Sequence, residues 1–301
     1  MHSFLTLALI LLPMFVGFFL PQHAKLNHYA EQGLNGLVFI ILMVIGAELG
    51  LIGDIGQRFG DIVLYVILLM ALTLSFGTLG LWIFEKWQTF PYQVHGYHEN
   101  KNSVSLSGSL IQIGCLAVGF AIAKILPAGF VMPDYVITVL LMVLLLLVGI
   151  CLRASGVSLK QALINKYGLQ MSLVFMVFTL MGGVVFALMT GVPMSQGLAM
   201  ASGFGWYSLS GTVMTDAYGA VWGSVALFND LGRELIALLF IPYVMRHSPT
   251  SAIGLGGVTS LDFTLPTLTG AGGIQITPLV ISFGFITNVV SPVLMVGFSA
   301  L

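Results

Sequence analysis

Asn229, Asp230, Arg233 and Glu234 stand together in Phe228-Asn229-Asp230-Leu231-Gly232-Arg233-Glu234-Leu235, inside an apolar run from Ala220 to Val244. On a helix Asp230 and Glu234 share one face, and Asn229 and Arg233 form the adjacent row. If the run crosses a bilayer, these groups are costly there. They must line a cavity or pair within the protein, and they are functional candidates. Arg233 can neutralise one acid in a structural ion pair. One carboxylate then remains to alternate between a proton and a cationic substrate, with Glu234 the first choice and Asp230 the second. A further acid, Glu48, sits in Ile45-Gly46-Ala47-Glu48-Leu49-Gly50, where flanking glycines let another helix approach closely. It reads either as a binding carboxylate or as a helix-end group facing an aqueous vestibule. Asp54 reads as interfacial.

Two stretches, 195–217 and 252–274, are apolar yet rich in Gly, Ser and Thr, and neither looks like an unbroken lipid-facing helix. Trp206, Tyr207, Ser208 and Ser210 lie at the expected break of the first. Freed amides at a half-helix N-terminus there would suit a substrate carboxylate. Asp216, near its outer end, reads as a cation attractor or as a solvated cap. In the second, Asp262 stands with Ser260 and Thr264, as a half-helix N-cap or as a ligand group. Asn288 and Ser291 in the last apolar run read as groups that hold helices together. His95, His98 and Glu99 could form a metal or pH-sensing cluster, but a solvated loop is the simpler reading. Cys115 and Cys151 read as buried, inert thiols.

These groups need elements to carry them. The chain is 58% hydrophobic and 7% charged, with mean hydropathy +1.04, whereas a soluble domain carries about 25% charged residues. Apolar runs long enough for a bilayer recur from end to end. The expected fold is therefore an all-α polytopic membrane protein forming one domain over 1–301, with a cytoplasmic loop at 87–105. Spans are expected at 3–20, 33–53, 61–84, 107–126, 135–152, 169–190, 219–245 and 276–299. The first lacks a basic leader and a small-residue cleavage site, so it reads as a retained helix. A net charge of −1 gives no reason to expect nucleic acid. The chain also lacks a phosphate-cradling glycine loop, a His-Glu-x-x-His zinc motif and a Gly-x-Ser-x-Gly elbow, and no cofactor or metal is expected.

Basic residues set the orientation. Arg153, Lys160 and Lys166 form the densest basic loop and are assigned to the cytoplasm. Alternation then puts Lys25, Lys86 and Lys101 inside and both termini outside; Lys124 is a mild exception. Arg246 and His247 fall inside only if 195–217 enters and leaves on the outer face and 252–274 on the inner face. The expectation is eight spans plus two re-entrant elements from opposite faces, an inverted repeat with a site where they meet. The alternative is ten spans, with both broken stretches crossing fully.

Leu198-Ala199-Met200-Ala201-Ser202-Gly203-Phe204-Gly205-Trp206-Tyr207-Ser208-Leu209-Ser210-Gly211 resembles the bacterial LysO-type lysine exporter family. The resemblance continues through Phe228–Leu235 and through Gly257-Val258-Thr259-Ser260-Leu261-Asp262-Phe263-Thr264-Leu265-Pro266. It implies an inner-membrane exporter of L-lysine and analogues such as thialysine, related to cation/proton antiporters with crossed discontinuous helices. Lysine carries two ammonium groups and a carboxylate. Glu48 and Glu234 could hold the former, and amides near Trp206–Ser208 or Ser260–Thr264 the latter. Protons or another coupling cation would drive export. Two other functions compete. One is an ion-coupled transporter of a different small substrate, with buried acids favouring a cation. The other is an intramembrane enzyme using an Asp216–Asp230 pair.

Overall fold

The computed structural model describes residues 12–21, 23–51, 55–92, 107–127, 130, 132–133, 135–154, 165–261 and 263–301. Asp54, His95, His98, Glu99, Lys101, Lys160 and Asp262 lie outside the described residues.

Regular structure among the described residues is helical throughout, with no strand. The helices are α1 (12–19), α2 (Ala24–Leu51), α3 (Ile55–Trp87), α4 (Ser107–Ile125), α5 (Tyr135–Ala154), α6 (Lys166–Thr190), α7 (Met194–Ala201) and α8 (Tyr207–Tyr218). They continue with α9 (Ala220–Val244), α10 (Pro249–Gly256), α11 (Leu265–Gly272) and α12 (Thr277–Ser299). A 3-10 turn, Gly257–Leu261, follows α10. Four stretches are long and apolar enough to cross a membrane: Lys25–Leu51, Gly60–Trp87, Lys166–Thr190 and Thr277–Ser299. Helix α9 is equally long, but Asp230, Arg233 and Glu234 interrupt its apolar character. The helices α2 and α3 begin several residues before the apolar runs do, because polar first turns continue the helix beyond the hydrophobic stretch.

Side-chain pairings fix the helix directions. Phe84 packs on Tyr167 and Tyr65 on Phe186, with centroids 5.1 and 6.2 Å apart, so α3 and α6 are antiparallel. Tyr65 stacks on Trp222 at 5.2 Å and Met70 touches Gly232, so α9 runs parallel to α3. Gly168 meets Ser282 and Phe175 meets Phe283, so α12 runs parallel to α6. Helices α2 and α4 also run parallel. Gly46 and Gly119 bring their backbones together, and Lys124 Nζ donates to Gly50 O at 2.6 Å. Small residues at such contacts permit close packing where lipid supplies no hydrophobic drive between helices.

Lys25, Lys86, Arg153, Lys166 and Arg246 consequently gather at one end of the bundle, the basic end. Arg58 and Lys124 lie at the far end. The outer faces of α3, α5 and α6 expose Leu64, Ile67, Trp82, Val139, Val177 and Leu188. An apolar exterior on this scale calls for an apolar surrounding phase.

Local signals account for the tight connections. Asn165 caps α6 by accepting from the Gly168 amide at 3.0 Å. Gly191 ends α6 at φ 75° and returns its N–H to Ala187 O. Gly183 and Gly197 then let α7 pack back along α6. After the bend at 202–206, α8 runs antiparallel beside α9, with Thr215 against Gly223 and Gly211 against Leu227. Gly219 is the single residue joining these two helices. Tyr218 hydrogen-bonds the Ser195 side chain. Both ends of the first broken element therefore sit at the far end of the bundle. The second starts at Pro249 beside Glu85. It turns through Gly257–Leu261 and returns through α11, bringing Gly272 against the Met245 sulfur. Both of its ends sit at the basic end.

Candidate functional site

The bends of the two broken elements meet in the middle of the bundle. Val258 N–H donates to Phe204 O at 3.0 Å. Phe204, at φ 50°, is the one non-glycine with positive φ among the described residues. Gly257 (φ 56°) faces the same carbonyl so closely that a Cβ would overlap it. Strained backbone persists only where surrounding structure holds it, and such points concentrate at functional sites.

Helix α9 passes this junction and reaches both elements. Asp230 Oδ1 accepts from Gly205 N–H at 3.1 Å and from Asn229 Nδ2 at 2.9 Å. Arg233 Nη2 donates to Gly254 O at 2.9 Å, and its guanidinium lies 5.0 Å from the Phe175 ring centroid. Asn229, Asp230, Arg233 and Glu234 are all at most 3% exposed. The Asp230 carboxylate meets an amide just ahead of α8, and the Arg233 cation meets a carbonyl at the C-terminal end of α10.

Helix α12 does the same with neutral groups. Asn288 Nδ2 donates to Val258 O at 2.8 Å and to Gly284 O at 2.7 Å. Ser291 Oγ donates to Ser202 O at 2.7 Å. Each long helix thus touches the broken element that precedes it, then the other element three residues later. Asp230 and Arg233 do so on α9, and Asn288 and Ser291 on α12.

Three polar atoms of the α9 cluster make no close hydrogen bond, Asn229 Oδ1, Asp230 Oδ2 and Arg233 Nε, although the Ser210 side chain and the Arg233 charge both bear on the Asp230 carboxylate. Buried polar atoms are normally satisfied, which sets the junction apart from the rest of the bundle. Asp230 Oδ2 abuts Gly203, where a Cβ would collide with it.

Other candidates are spread around this centre. Trp206 and Tyr207 are half-buried at the start of α8, and Ser208 is buried. Ser260 Oγ donates to Ile253 O at 3.0 Å, and the Ser260 and Thr264 hydroxyls converge on Gly256, closing the second bend. Asp216 is exposed at the far end. Because Thr215 lies level with Gly223, Asp216 is about 12 Å along the axis from Asp230 at 1.5 Å per residue, so the two form no aspartyl pair. Glu48 is half-buried, close to the far end of α2. Gly211 contacts both Ile45 and Leu227, which puts Glu48 about 15 Å along the axis from Glu234. Cys115 and Cys151 are free thiols. They are half-buried, where full burial was expected.

Two participants escaped sequence reasoning. Phe175, an ordinary apolar residue by its neighbours, floors the Arg233 guanidinium. Glu85 resembles a plain interfacial acid at the end of an apolar run. Its Oε2 accepts from Ser248 Oγ at 2.7 Å, from Thr250 N at 3.0 Å and from Thr250 Oγ1 at 2.5 Å, which anchors the start of α10.

An apolar helical bundle with a buried charged cluster at a central junction of broken helices has the build of a multi-pass membrane transport protein. More particularly, the chain belongs to the family of the lysine exporter LysO, whose family model matches residues 113–299. It is 38% identical over 299 residues to "Lysine exporter LysO" of Escherichia coli K12, covering 98% of this chain and 99% of that protein. It is 50% identical over 160 residues to a Haemophilus influenzae protein also named as a lysine exporter, covering 53% of this chain and 82% of that one. No solved structure matches.

Proposed function

We propose that this protein exports L-lysine, and close analogues such as thialysine, across the bacterial inner membrane in exchange for protons. The observation that carries the reading is the full-length relationship to a lysine exporter, joined to a buried acidic cluster at the junction of two broken helices. In this reading the bundle has eight spans. The broken elements are re-entrant from opposite faces and form an inverted repeat. The return of each element to the end where it began supports this over ten full crossings. The basic end is cytoplasmic and both termini are periplasmic.

Glu234 is the exchanging carboxylate on α9, taking a lysine ammonium from the cytoplasmic side and a proton from the periplasmic side. Glu48, about 15 Å away, is too distant to hold the same lysine together with Glu234. It is a second station on the periplasmic path, with Asp216 at the mouth. Amides and hydroxyls at the bends, around Trp206–Ser208 and at Ser260 and Thr264, receive the lysine carboxylate.

Counterflow in proteoliposomes tests the cargo. Labelled lysine should accumulate against internal lysine and be displaced by thialysine, and an imposed proton gradient should drive it. Glu234→Gln and Glu48→Gln, correctly inserted, should each lower the rate at least tenfold. Parental rates in both would remove the two carboxylates from the mechanism. Single cysteines at Ala217 and Gln275, in a background lacking Cys115 and Cys151, should label from opposite sides. Labelling from one side would refute the opposed re-entrant elements.

A further inference from the structure

Gln196 is a buried amide that the fold leaves unused. It is the third residue of α7, is 5% exposed, and its Nε2 has no hydrogen-bond partner among the described residues. Helix α7 packs on α6, α12 and α8. Met194 is exposed and Leu198 half-buried, and these two mark its outer side. At about 100° per residue Gln196 lies on the opposite side, one turn from the fully buried Ala199 and Met200. Its side chain therefore faces the interior of the bundle. Seven residues separate it from Gly203, which puts it about 10 Å from the junction, toward the far end.

The second broken element shows what a purely structural group does at this place. Ser251 is likewise the third residue of its short helix. Its Oγ donates to Thr78 O at 3.0 Å and accepts from Ser248 Oγ at 2.8 Å, so that helix is tied to α3. Gln196 makes no such tie, although Ser195 beside it is bonded to Tyr218. A buried donor left unmet costs stability, and such a group persists where it serves something other than the fold.

We propose that Gln196 is a ligand for the carboxylate of the amino-acid cargo on the outward half of its path. The proposal rests on the reading of the cargo as lysine. Both ammonium groups of lysine are donors, and its carboxylate is the group that can accept from an amide N–H. The carboxylate leaves the amides at the bends and meets Gln196 Nε2 one step further toward the far end. A neutral amide holds an anion less firmly than an arginine or a lysine would, which suits a station from which cargo must depart.

The test uses the purified full chain, with L-lysine and cadaverine, which is lysine without its carboxylate, as probes and thermal unfolding as the readout. Gln196→Met keeps the volume and removes the unmet donor. Without ligand it should melt at or above the parental temperature, whereas loss of a structural hydrogen bond would lower it. Its lysine dissociation constant should rise about tenfold, and its response to cadaverine should stay parental. Gln196→Glu sets an anion against the carboxylate and should weaken lysine further while strengthening cadaverine. A lowered melting temperature in unliganded Gln196→Met would show the amide to be tied into the fold, and an unchanged lysine constant would leave a water as its partner; either result overturns the proposal. Loss of cadaverine binding equal to the loss for lysine overturns it too. If the parental chain gives no lysine response at all, the lysine reading fails and takes this proposal with it, a result unlike any failure confined to Gln196.

Discussion

Gly257→Ala tests whether the two bends meet as described. Gly257 sits at φ 56°, ψ −131°, a region that costs an L-residue about 1–3 kcal/mol. Its new methyl would also lie on Phe204 O, the acceptor of the Val258 N–H bond at 3.0 Å. Relieving that overlap separates the bends and loses a hydrogen bond worth about 1 kcal/mol. The total is about 2–4 kcal/mol, or a fall in melting temperature of roughly 3–6 °C for a chain of this size. Gly297→Ala is the control, because nothing lies within reach of its added Cβ. A helical Gly→Ala change there should leave stability equal or raise it by up to about 1 kcal/mol. The assay is thermal unfolding in detergent by intrinsic fluorescence, followed by lysine counterflow. If Gly257→Ala melts within about 1 °C of the parent and transports normally, the contact between bends is wrong.

Arg233→Lys keeps the charge but loses the planar group that lies over Phe175 while bonding Gly254 O. It should cost about 2–3 kcal/mol and slow counterflow, and an unaltered melting curve would contradict the geometry. Glu85→Gln removes the charge from the acceptor at the start of α10. Because the group is only part-buried, the loss should be about 1 kcal/mol, read by unfolding and by faster protease cleavage near Ser248. Ser291→Ala leaves Ser202 O without its hydroxyl donor and should cost about 1 kcal/mol. The loss should be much smaller than for Arg233→Lys, since a neutral bond is being compared with a charge-assisted one.

Much of this protein was legible from its residues alone. Long apolar runs and a low charge content leave a helical membrane bundle as the economical solution, because backbone groups in lipid must be satisfied within each segment. Glycine and proline spacing marked the two broken stretches, and Asn229–Glu234 was conspicuous because acids and an arginine are rare in such a run. Local chemistry also foretold the joint function of Asn288 and Ser291, since polar groups in a packed span find a neighbour's backbone.

Partnership lay beyond the sequence. Arg233 was expected to neutralise an acid. Its charge does act on Asp230, and its hydrogen bond goes to Gly254 O, a carbonyl 21 residues away in the chain. Asp230 reaches an amide on the other broken element, 25 residues away. Nothing in Phe84-Glu85-Lys86 announces a cap for α10, and nothing around Phe175 announces the floor under a guanidinium. Those assignments depend on which helix ends come to the same depth, and a one-dimensional pattern of hydrophobicity carries no depth. The sequence by itself determined that the chain must be an apolar helical bundle with a costly charged cluster inside it. Only the tertiary structure decided how those charges are used, because helix-end dipoles acquire partners only when packing brings the broken ends together.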